Sequence, residues 1–240
     1  MIEPVPARPL ALPSPHPGLD AWACELARSA GDIAALATVL SPEEHRRAAR
    51  FGRPELRDRY IVGRATLRVL LGAKLALLPR SVVITRGKRG RPFVPNANGL
   101  DFNVSHTSGM ALIATITQRR IGVDIEHGER QVNVAGVARK FMSAPEQSHL
   151  RALDEDAKRR ALLRLWTCKE AMSKATGDAL SAPFRKLDVA TDTLRLVDGP
   201  APYEPAHWQL LALDVPGGYL ATAAIWHEQA SSLEPVELRC

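Results

Sequence analysis

With 240 residues, of which 45% are hydrophobic and 24% charged, the chain has the size and composition of a globular protein with one large domain or two small ones. It lacks an apolar run long enough to cross a bilayer, and its first residues lack the basic start and apolar stretch of a secretion signal. Its three cysteines, Cys24, Cys168 and Cys240, have no metal-ligand spacing, so we expect a protein of the reducing cytoplasm that does not contact membranes.

The formal net charge of +6 is unevenly distributed along the chain. Residues 43–91 contain fourteen Lys or Arg against four Asp or Glu, a local balance of +10, so the rest of the chain sums to −4. Such a concentrated basic segment indicates a partner or substrate that carries phosphates or carboxylates. Solvated helix faces are the alternative explanation for the same count.

The first half of the chain is predicted to contain an extended arm, two helices and several short strands. Residues 1–19 carry six prolines and little periodicity, which predicts an extended arm or edge. Ser41-Pro42-Glu43-Glu44 has the N-cap, proline and acidic first turn of a helix that should run to about Phe51. Pro54 opens a longer helix, which Pro79 ends. Strand-like runs follow at residues 82–85, 101–105, 111–117 and 121–126.

The second half repeats this order of elements. Short helices are predicted at residues 132–142 and 145–153, a long helix closed by Gly177 at 158–176, and strands at 187–197, 208–214 and 219–226. A long helix followed by about three antiparallel strands, twice, predicts an α+β fold of two similar lobes in a pseudo-twofold arrangement. We place the lobes at residues 1–127 and 128–240, with the active site in the cleft between them.

Two acidic residues lie near this predicted boundary, in the segment Gly122-Val123-Asp124-Ile125-Glu126. Strand alternation turns the two apolar residues into a core, while Asp124 and Glu126 project together from the other face. If the long helix brings Glu170 to the same place, three carboxylates converge, and a hard divalent cation is their natural occupant. Taken alone, the two acidic residues are also typical of a turn or cap at a strand end.

The long predicted helix carries further polar residues. Trp166, Glu170 and Lys174 are spaced four apart and share one face. An isolated Glu–Lys pair at this spacing is ordinarily a surface ion pair. Lys169 lies about 100° around the helix from Glu170, where it could reach a phosphate beside a metal.

Two other segments carry groups that bind anions. Gly87-Lys88-Arg89-Gly90-Arg91-Pro92 is a glycine-rich basic turn, for which a solvated hairpin is the alternative interpretation. Phe102-Asn103-Val104-Ser105-His106 ends a predicted strand with a hydroxyl and an imidazole group, which are well placed for phosphate contact. A Ser-His-Asp hydrolase is a poor interpretation, because Ser105 lacks a Gly-x-Ser-x-Gly nucleophile elbow.

In combination, these segments resemble the motifs of the 4′-phosphopantetheinyl transferases. The order and gaps are similar to those of the larger single-chain type, the surfactin-synthetase-activating type, which activates non-ribosomal peptide and polyketide synthases. The matching motifs are Gly90-Arg91-Pro92, Phe102-Asn103-x-Ser105-His106, Gly122-Val123-Asp124-Ile125-Glu126 and Trp166-x-x-Lys169-Glu170-Ala171-x-x-Lys174. Phe141-Met142-Ser143-x-x-Glu146 also resembles the family's segment between the two acidic motifs, and the resemblance covers residues 40–226.

The resemblance implies a reaction and a set of site residues. The phosphopantetheine arm of coenzyme A would move to a serine hydroxyl of an acyl or peptidyl carrier protein, with release of adenosine 3′,5′-bisphosphate. Asp124, Glu126 and Glu170 would hold Mg²⁺, or alternatively Mn²⁺, against the pyrophosphate. Coenzyme A would be bound by Arg47, Arg59, Arg91, Ser105, His106, Lys169 and Lys174. Among these, Arg47 and Arg59 fall where the family places cations near the adenosine 3′-phosphate, and Arg91 stands where the family more often has Lys.

The catalytic roles follow from what attack on a pyrophosphate requires. Charge must be neutralised on both phosphates, which suits Lys174, and the attacking serine needs a base, for which Glu170 is our candidate. Carrier proteins are typically acidic, so some arginines of the basic segment should steer that partner rather than bind coenzyme A. We expect a monomer, since two lobes in one chain can build the whole cleft.

Two other function classes stay open at this point. A Mg²⁺-dependent nuclease or phosphodiesterase also uses clustered carboxylates with a lysine, but it would need base-stacking aromatic residues, and aromatics make up only 5% of the chain. A basic adaptor for an acidic protein would give no reason for three acidic residues and their neighbouring cations. We therefore expect no nucleic-acid partner.

Overall fold

The structure is a computed structural model that describes residues 9–14, 16–87 and 89–227. Residues 1–8 and Pro15 of the predicted arm, Lys88 of the basic turn and the tail from residue 228 to Cys240 lie outside the described residues. No helix of the described residues has the length and apolar character needed to cross a membrane.

Several of the α-helices begin or end at local capping signals. Within the described residues they are α1 (Ala30–Ala37), α2 (Pro42–Ala48), α3 (Pro54–Leu75), α4 (Val134–Phe141), α5 (Ala144–Arg151) and α6 (Glu155–Thr176). Ser41 starts α2 and Ser143 starts α5, each through a capping box with the glutamate three residues later. Gly177 ends α6 in the left-handed region, with a φ of 83°, as the sequence predicts.

The strands form two larger antiparallel sheets and two short hairpins. They are β1 (Leu10–Leu12), β2 (Asp20–Glu25), β3 (Thr85–Arg86), β4 (Pro92–Phe93), β5 (Leu100–Thr107), β6 (Met110–Thr117), β7 (Arg120–His127), β8 (Asp188–Ala190), β9 (Arg195–Asp198), β10 (Trp208–Leu213) and β11 (Tyr219–Trp226). The strand orders of the larger sheets are β1-β2-β6-β5 and β10-β11-β7, and the hairpins are β3-β4 and β8-β9.

Each larger sheet carries one 22-residue helix on its outer face. The apolar residues of α3 pack against the first sheet, and those of α6 against the second. The inner faces of the two sheets share a core, in which Leu112 and Ile116 of β6 meet Val123 and Ile125 of β7. This arrangement confirms the predicted α+β fold with two lobes, each a long helix on a small antiparallel sheet.

Strand β7 and helix α6 approach each other very closely at Gly122. A Cβ atom at this position would lie 1.9 Å from the carbonyl oxygen of Ala171 and 2.6 Å from the backbone nitrogen of Ala175. Only glycine allows such an approach, and it brings the last turns of α6 beside the acidic residues of β7.

Some elements differ from those predicted. Strand β2 and helix α1 lie in residues 20–40, for which the sequence patterns above predict nothing, and β1 lies within the predicted arm. The predicted strand at residues 187–197 is the hairpin β8-β9, and most of the predicted strand at 82–85 is irregular. Strand β7 hydrogen-bonds to β11 of the second half, and the division into lobes at residue 127 stays a prediction.

Candidate functional site

The two larger sheets meet at a seam between β5 and β7, which lie in separate sheets and share no backbone hydrogen bond in the described part of the chain. Side chains of β5 bond to the backbone of β7 instead. Asp101 Oδ2 accepts from Ile121 N at 2.8 Å, and Asn103 Oδ1 accepts from Val123 N at 3.1 Å. Because strand residues alternate between faces, every second residue of β5 points to the seam. We name these residues the β5 polar row: Asp101, Asn103, Ser105 and Thr107.

The last two members of the β5 polar row contact the predicted acidic residues. Ser105 Oγ donates to Asp124 Oδ1 at 2.7 Å, and Thr107 Oγ1 donates to Glu126 Oε2 at 3.0 Å. Asp124 and Glu126 are buried, with exposures of 5% and 9%, and they share one face of β7 as strand alternation predicts. The polar row therefore orients both carboxylates.

Lys174 reaches the same group from α6. Its Nζ donates to Asp124 Oδ1 at 2.6 Å, to Ser105 Oγ at 2.8 Å and to the carbonyl oxygen of Val123 at 3.2 Å. The second carboxylate oxygen of Asp124, Oδ2, is buried and has no hydrogen-bond partner among the described residues. An unsatisfied buried acceptor costs about 1–3 kcal/mol, and more when it is charged, so this oxygen suits a cation or a donor from a ligand.

Glu126 and Glu170 complete the acidic group. Burial raises the pKa of Glu126, against the opposing effects of the Arg130 guanidinium and the Thr107 hydroxyl. Burial also raises the pKa of Glu170, where Lys174 opposes the shift and the charges of the other two carboxylates add to it. The carboxylates of Asp124, Glu126 and Glu170 therefore share one electrostatic environment.

This acidic group is not assembled as a metal site. Across residues 9–14, 16–87 and 89–227, no three or more His, Cys, Asp or Glu side chains are arranged to hold a metal ion. Lys174 pairs with Asp124, and Arg130 pairs with Glu126. The donor chemistry nevertheless suits Mg²⁺, because the groups are carboxylates and one buried oxygen of Asp124 has no partner. Metal binding here stays a prediction.

His106 lies on the opposite face of β5 from the polar row and is exposed. Partial desolvation lowers the pKa of His106, the charge of Lys174 lowers it further, and Asp124 acts in the other direction. The imidazole is therefore within electrostatic range of the Lys174–Asp124 pair. Its predicted contact with a phosphate stays a prediction.

Lys169 does not face the acidic group, so its predicted phosphate contact has no support in this structure. The side chain is fully buried, and Nζ donates to Glu146 Oε2 at 2.6 Å. It also donates to the carbonyl oxygens of Phe184 and Leu187, at 2.7 and 2.8 Å. The turn of about 100° between Lys169 and Glu170 directs the lysine into the core of the second lobe.

Arg91 also bonds to protein groups in this structure, and its predicted phosphate contact stays a prediction without structural support. Its Nη1 and Nη2 donate to the two oxygens of Asp101 at 2.8 and 2.6 Å, and its side chain is 7% exposed. Nη2 also donates to Ile121 O at 2.8 Å, Nε to Lys174 O at 3.0 Å, and Nη1 to Pro92 O at 3.4 Å. All five N–H donors of the guanidinium thus have protein acceptors.

The two arginines predicted near the adenosine 3′-phosphate lie on the first lobe. Arg47 is exposed on α2, and its guanidinium carbon lies 5.6 Å from the ring centroid of Tyr60. Arg59 is exposed on α3, next to Tyr60 in the chain. Arg47 borders a cavity of about 600 Å³ whose lining residues are Glu43, Arg46, Arg47, Arg50 and Phe51. Several guanidinium groups beside an aromatic ring suit a phosphorylated nucleoside.

Several residues that contact the site or one of its predicted members are absent from the predicted set. Asp101 and Thr107 belong to the β5 polar row, and the signal for them is the alternation of polar side chains along that strand. Glu146, the partner of Lys169, stands in a motif that the sequence does single out, but nothing in one sequence pairs the two. Arg130, which pairs with Glu126, carries no signal that we can identify.

Comparison with known protein families gives two adjacent matches. Residues 26–118 match the model described as 4′-phosphopantetheinyl transferase, N-terminal. Residues 120–224 match the model of the 4′-phosphopantetheinyl transferase superfamily.

Curated proteins of the same kind match most of the chain. The 4′-phosphopantetheinyl transferase HetI of Nostoc sp. is 34% identical over 210 residues, which are 85% of this chain and 86% of HetI. The 4′-phosphopantetheinyl transferase Sfp of Bacillus subtilis is 28% identical over 189 residues, covering 78% of this chain and 83% of Sfp. A putative 4′-phosphopantetheinyl transferase of Synechocystis sp. is 29% identical over 191 residues, covering 79% and 77%. These matches confirm the resemblance of the motifs, and the chain belongs to the 4′-phosphopantetheinyl transferase superfamily.

Proposed function

We propose that this protein transfers the 4′-phosphopantetheine group of coenzyme A to a serine hydroxyl of an acyl or peptidyl carrier protein, converting the apo carrier to its holo form. The observation that carries the proposal is the contact of Lys174 with Asp124 and Ser105 beside Glu126 and Glu170, in a chain of this superfamily. Reaction at a pyrophosphate needs a cation and a base at one place, and this group of residues supplies both.

In the proposed step, the serine oxygen of the carrier bonds to the phosphorus that bears pantetheine. The bond from that phosphorus to the bridging oxygen breaks, and adenosine 3′,5′-bisphosphate leaves. The serine proton passes to Glu170, whose pKa is raised by burial, which makes the carboxylate a better base than an exposed glutamate. Lys174 binds a phosphate oxygen. When bound by Asp124, Glu126 and Glu170, Mg²⁺ or Mn²⁺ would neutralise charge on the pyrophosphate.

The remaining substrate contacts follow from exposure and charge. We propose that Ser105 and His106 bind the pyrophosphate from β5, and that Arg47 and Arg59 bind the adenosine 3′-phosphate on the first lobe. The other exposed arginines of residues 43–91 would steer an acidic carrier protein, so raising the salt concentration should slow its association. The enzyme would act as a monomer in the cytoplasm, with lobes at residues 1–127 and 128–240.

Mass spectrometry of apo carrier proteins tests the proposal directly. Incubation with the enzyme, coenzyme A and Mg²⁺ should add the phosphopantetheine mass to the carrier. Omission of coenzyme A or of Mg²⁺ should prevent this gain. No mass gain across several acyl and peptidyl carriers would reject the transferase. Plasmid DNA incubated with the enzyme and Mg²⁺ should stay intact, and its cleavage would favour the nuclease instead.

The proposed base is tested by Glu170→Gln. Loss of a general base costs about 10²- to 10⁴-fold in rate, so turnover should fall by this amount even at saturating Mg²⁺. Glu155→Gln, at an exposed position in the first turn of α6, is the matched control and should change little. If Glu170→Gln kept normal turnover and only needed more Mg²⁺, Glu170 would be a metal ligand and not the base.

A further inference from the structure

Arg91 joins three elements of the site. Its guanidinium pairs with Asp101 of β5, donates to the carbonyl oxygen of Ile121 in β7 and donates to the carbonyl oxygen of Lys174 in α6. It comes from the turn between β3 and β4. One side chain therefore connects both sheets and the helix that carries Glu170.

Arg91 and Asp101 together replace a missing strand neighbour at the seam. The edge of β7 presents both the N–H and the C=O of Ile121 to β5. Asp101 accepts from this N–H at 2.8 Å, and Arg91 donates to this C=O at 2.8 Å. Two residues along, the same edge is satisfied by Asn103 at the N–H of Val123 and by Lys174 at its C=O. Buried backbone groups require such partners, so the seam depends on these side chains.

The same guanidinium also caps the end of α6. The carbonyl groups of a last helical turn have no partner within the helix, and Arg91 Nε donates to that of Lys174 at 3.0 Å. Gly177, which closes α6, lies against the stem of Arg91, because a Cβ at this glycine would be 3.5 Å from Arg91 Cβ. Lys174 is thus held at its backbone by Arg91 and at its ammonium group by Asp124.

We infer that Arg91 is a positioning residue, which with Asp101 sets α6 against the seam so that the ammonium group of Lys174 lies at Asp124 and Ser105. The kinetic consequence rests on the proposed function, whereas the structural consequence does not. Lysine could not replace Arg91 in this role, because one ammonium nitrogen cannot reach the carboxylate and the carbonyl groups of three elements that the planar guanidinium joins.

The variants Arg91→Lys, Asp101→Asn and their double substitution test the inference by steady-state kinetics. Misplacement of a reacting group by about 1 Å can cost about 100-fold in rate, so kcat should fall by about 10- to 100-fold in each single variant. The KM for coenzyme A should stay within about twofold, since Arg91 has no donor left for a phosphate. The double variant should lose less than the product of the two single losses, because the two residues share the Arg91–Asp101 pair.

Two kinetic results would overturn the inference. Normal kcat with a raised KM for coenzyme A in Arg91→Lys would make Arg91 a substrate contact. Unchanged kcat and KM in all variants, with only a lower melting temperature, would leave the pair a structural contact without influence on the site. Arg119→Lys, in the exposed turn between β6 and β7, is the matched control and should behave as the parent protein.

Amide hydrogen exchange supplies a readout that does not depend on transferase activity. The amide of Ile121 and those of the last turn of α6 should exchange at least about tenfold faster in Arg91→Lys and Asp101→Asn than in the parent or in Arg119→Lys, because their local opening becomes easier. Unchanged exchange at these amides would contradict the inference. If no carrier were modified by any variant or by the parent protein, the proposed function would fail while this measurement still tested the role of Arg91.

Discussion

The ammonium group of Lys169 lies 2.6 Å from Glu146 Oε2 in the core of the second lobe, where the two side chains are 0% and 2% exposed. Glu146 also accepts from the backbone nitrogens of Ser143 and Val189, at 2.8 and 3.0 Å. This buried pair connects α6 to the start of α5 and to β8. The connection is made by Lys169, which directly precedes Glu170 in the chain. The residue that anchors the helix and the residue proposed as the base are therefore neighbours in the chain, directed about 100° apart around the helix.

Lys169→Met should destabilise the protein strongly. Methionine keeps most of the buried volume but leaves the Glu146 carboxylate without its cation, and breaking a buried pair in this way costs about 3–5 kcal/mol. The free energy of unfolding, measured by urea denaturation, should fall by that amount. Replacing both partners, in Lys169→Met with Glu146→Leu, should recover part of the loss because no unpaired charge is left.

The control for this prediction is Lys158→Met on the same helix. Lys158 pairs with the exposed Glu155, and pairs of this kind contribute about 0–1 kcal/mol, so little change is expected. Normal stability of Lys169→Met together with a raised KM for coenzyme A would contradict this structural role and would support a contact between Lys169 and a phosphate.

Gly122→Ala should disturb the packing of α6 on β7. The new methyl group would lie 1.9 Å from the carbonyl oxygen of Ala171, so the helix must move away, at a cost of about 1–3 kcal/mol or more. The rate of transfer should fall even under conditions where the variant is fully folded, because the same shift moves Glu170 and Lys174 away from the carboxylates of β7. Thermal unfolding and the rate of carrier modification measure the two effects.

Gly63→Ala is the matched control for this change. Gly63 lies within α3, and a Cβ there meets only Leu26 Cδ2 at 3.7 Å, which is ordinary contact. Alanine is favoured over glycine in helices by about 1 kcal/mol, so this variant should be as stable as the parent or more so. Equal losses in both glycine variants would show that the close approach at Gly122 is not the cause.

Local signals predict the parts of this structure that local physics determines. Ser41 with Pro42 starts α2, Gly177 ends α6, and strand alternation places Asp124 and Glu126 on one face. Helical spacing also places Glu170 about 100° from Lys169, but spacing alone does not say which of them faces the core. That depends on the partner, Glu146, which stands in a separate helix.

Partners distant in the chain account for the contacts at the site that the sequence does not predict. The positive charge of Arg91 and its glycine-rich turn predict an anion contact, but its acceptors are Asp101, Ile121 and Lys174, which only the meeting of two sheets and a helix brings together. The seam itself has no sequence signal of its own. The alternating polar residues of β5 would suit a solvent-exposed strand face equally well.

The environment of Glu44 leads us to expect that the free energy of unfolding depends on pH in the acidic range. It lies buried between Arg64 and Arg68, and Arg68 Nε is 2.5 Å from Glu44 Oε2. Burial alone would raise the pKa of Glu44, but hydrogen bonds from Arg68 and the backbone of Ser41, with the charge of Arg64, outweigh it and lower the pKa. The ion pairs therefore stabilise the fold above the unfolded pKa of about 4.3, and this contribution is lost as the pH falls through the lower folded value.

Urea denaturation across the acidic range measures this effect. In the parent protein, the free energy of unfolding should fall as the pH drops below about 4.3, and Glu44→Gln should reduce that slope while lowering stability at neutral pH. Glu43→Gln is the control, since Glu43 is the exposed neighbour in the same helical turn. If the two variants had the same slope, the acid sensitivity would come from other carboxylates.

The proposed contact of Arg47 and Arg59 with the adenosine 3′-phosphate can be tested by comparing coenzyme A with 3′-dephospho-coenzyme A. If both arginines bind the adenosine 3′-phosphate, Arg47→Ala and Arg59→Ala should each raise the KM for coenzyme A by about 10- to 100-fold, because a hydrogen bond to a charged group contributes about 1.5–3 kcal/mol. With 3′-dephospho-coenzyme A, which lacks that phosphate, the same variants should differ little from the parent protein.

This comparison separates a phosphate contact from a general loss of charge. Arg57→Ala removes a positive charge from an exposed position of α3, where Arg57 pairs with the neighbouring Asp58, and it should leave the KM for both donors close to that of the parent. Equal losses with both donors in Arg47→Ala would place this arginine at another part of coenzyme A. A rise in the KM for the carrier protein alone would instead assign it to steering of the acidic partner, because a rim charge acts mainly on association.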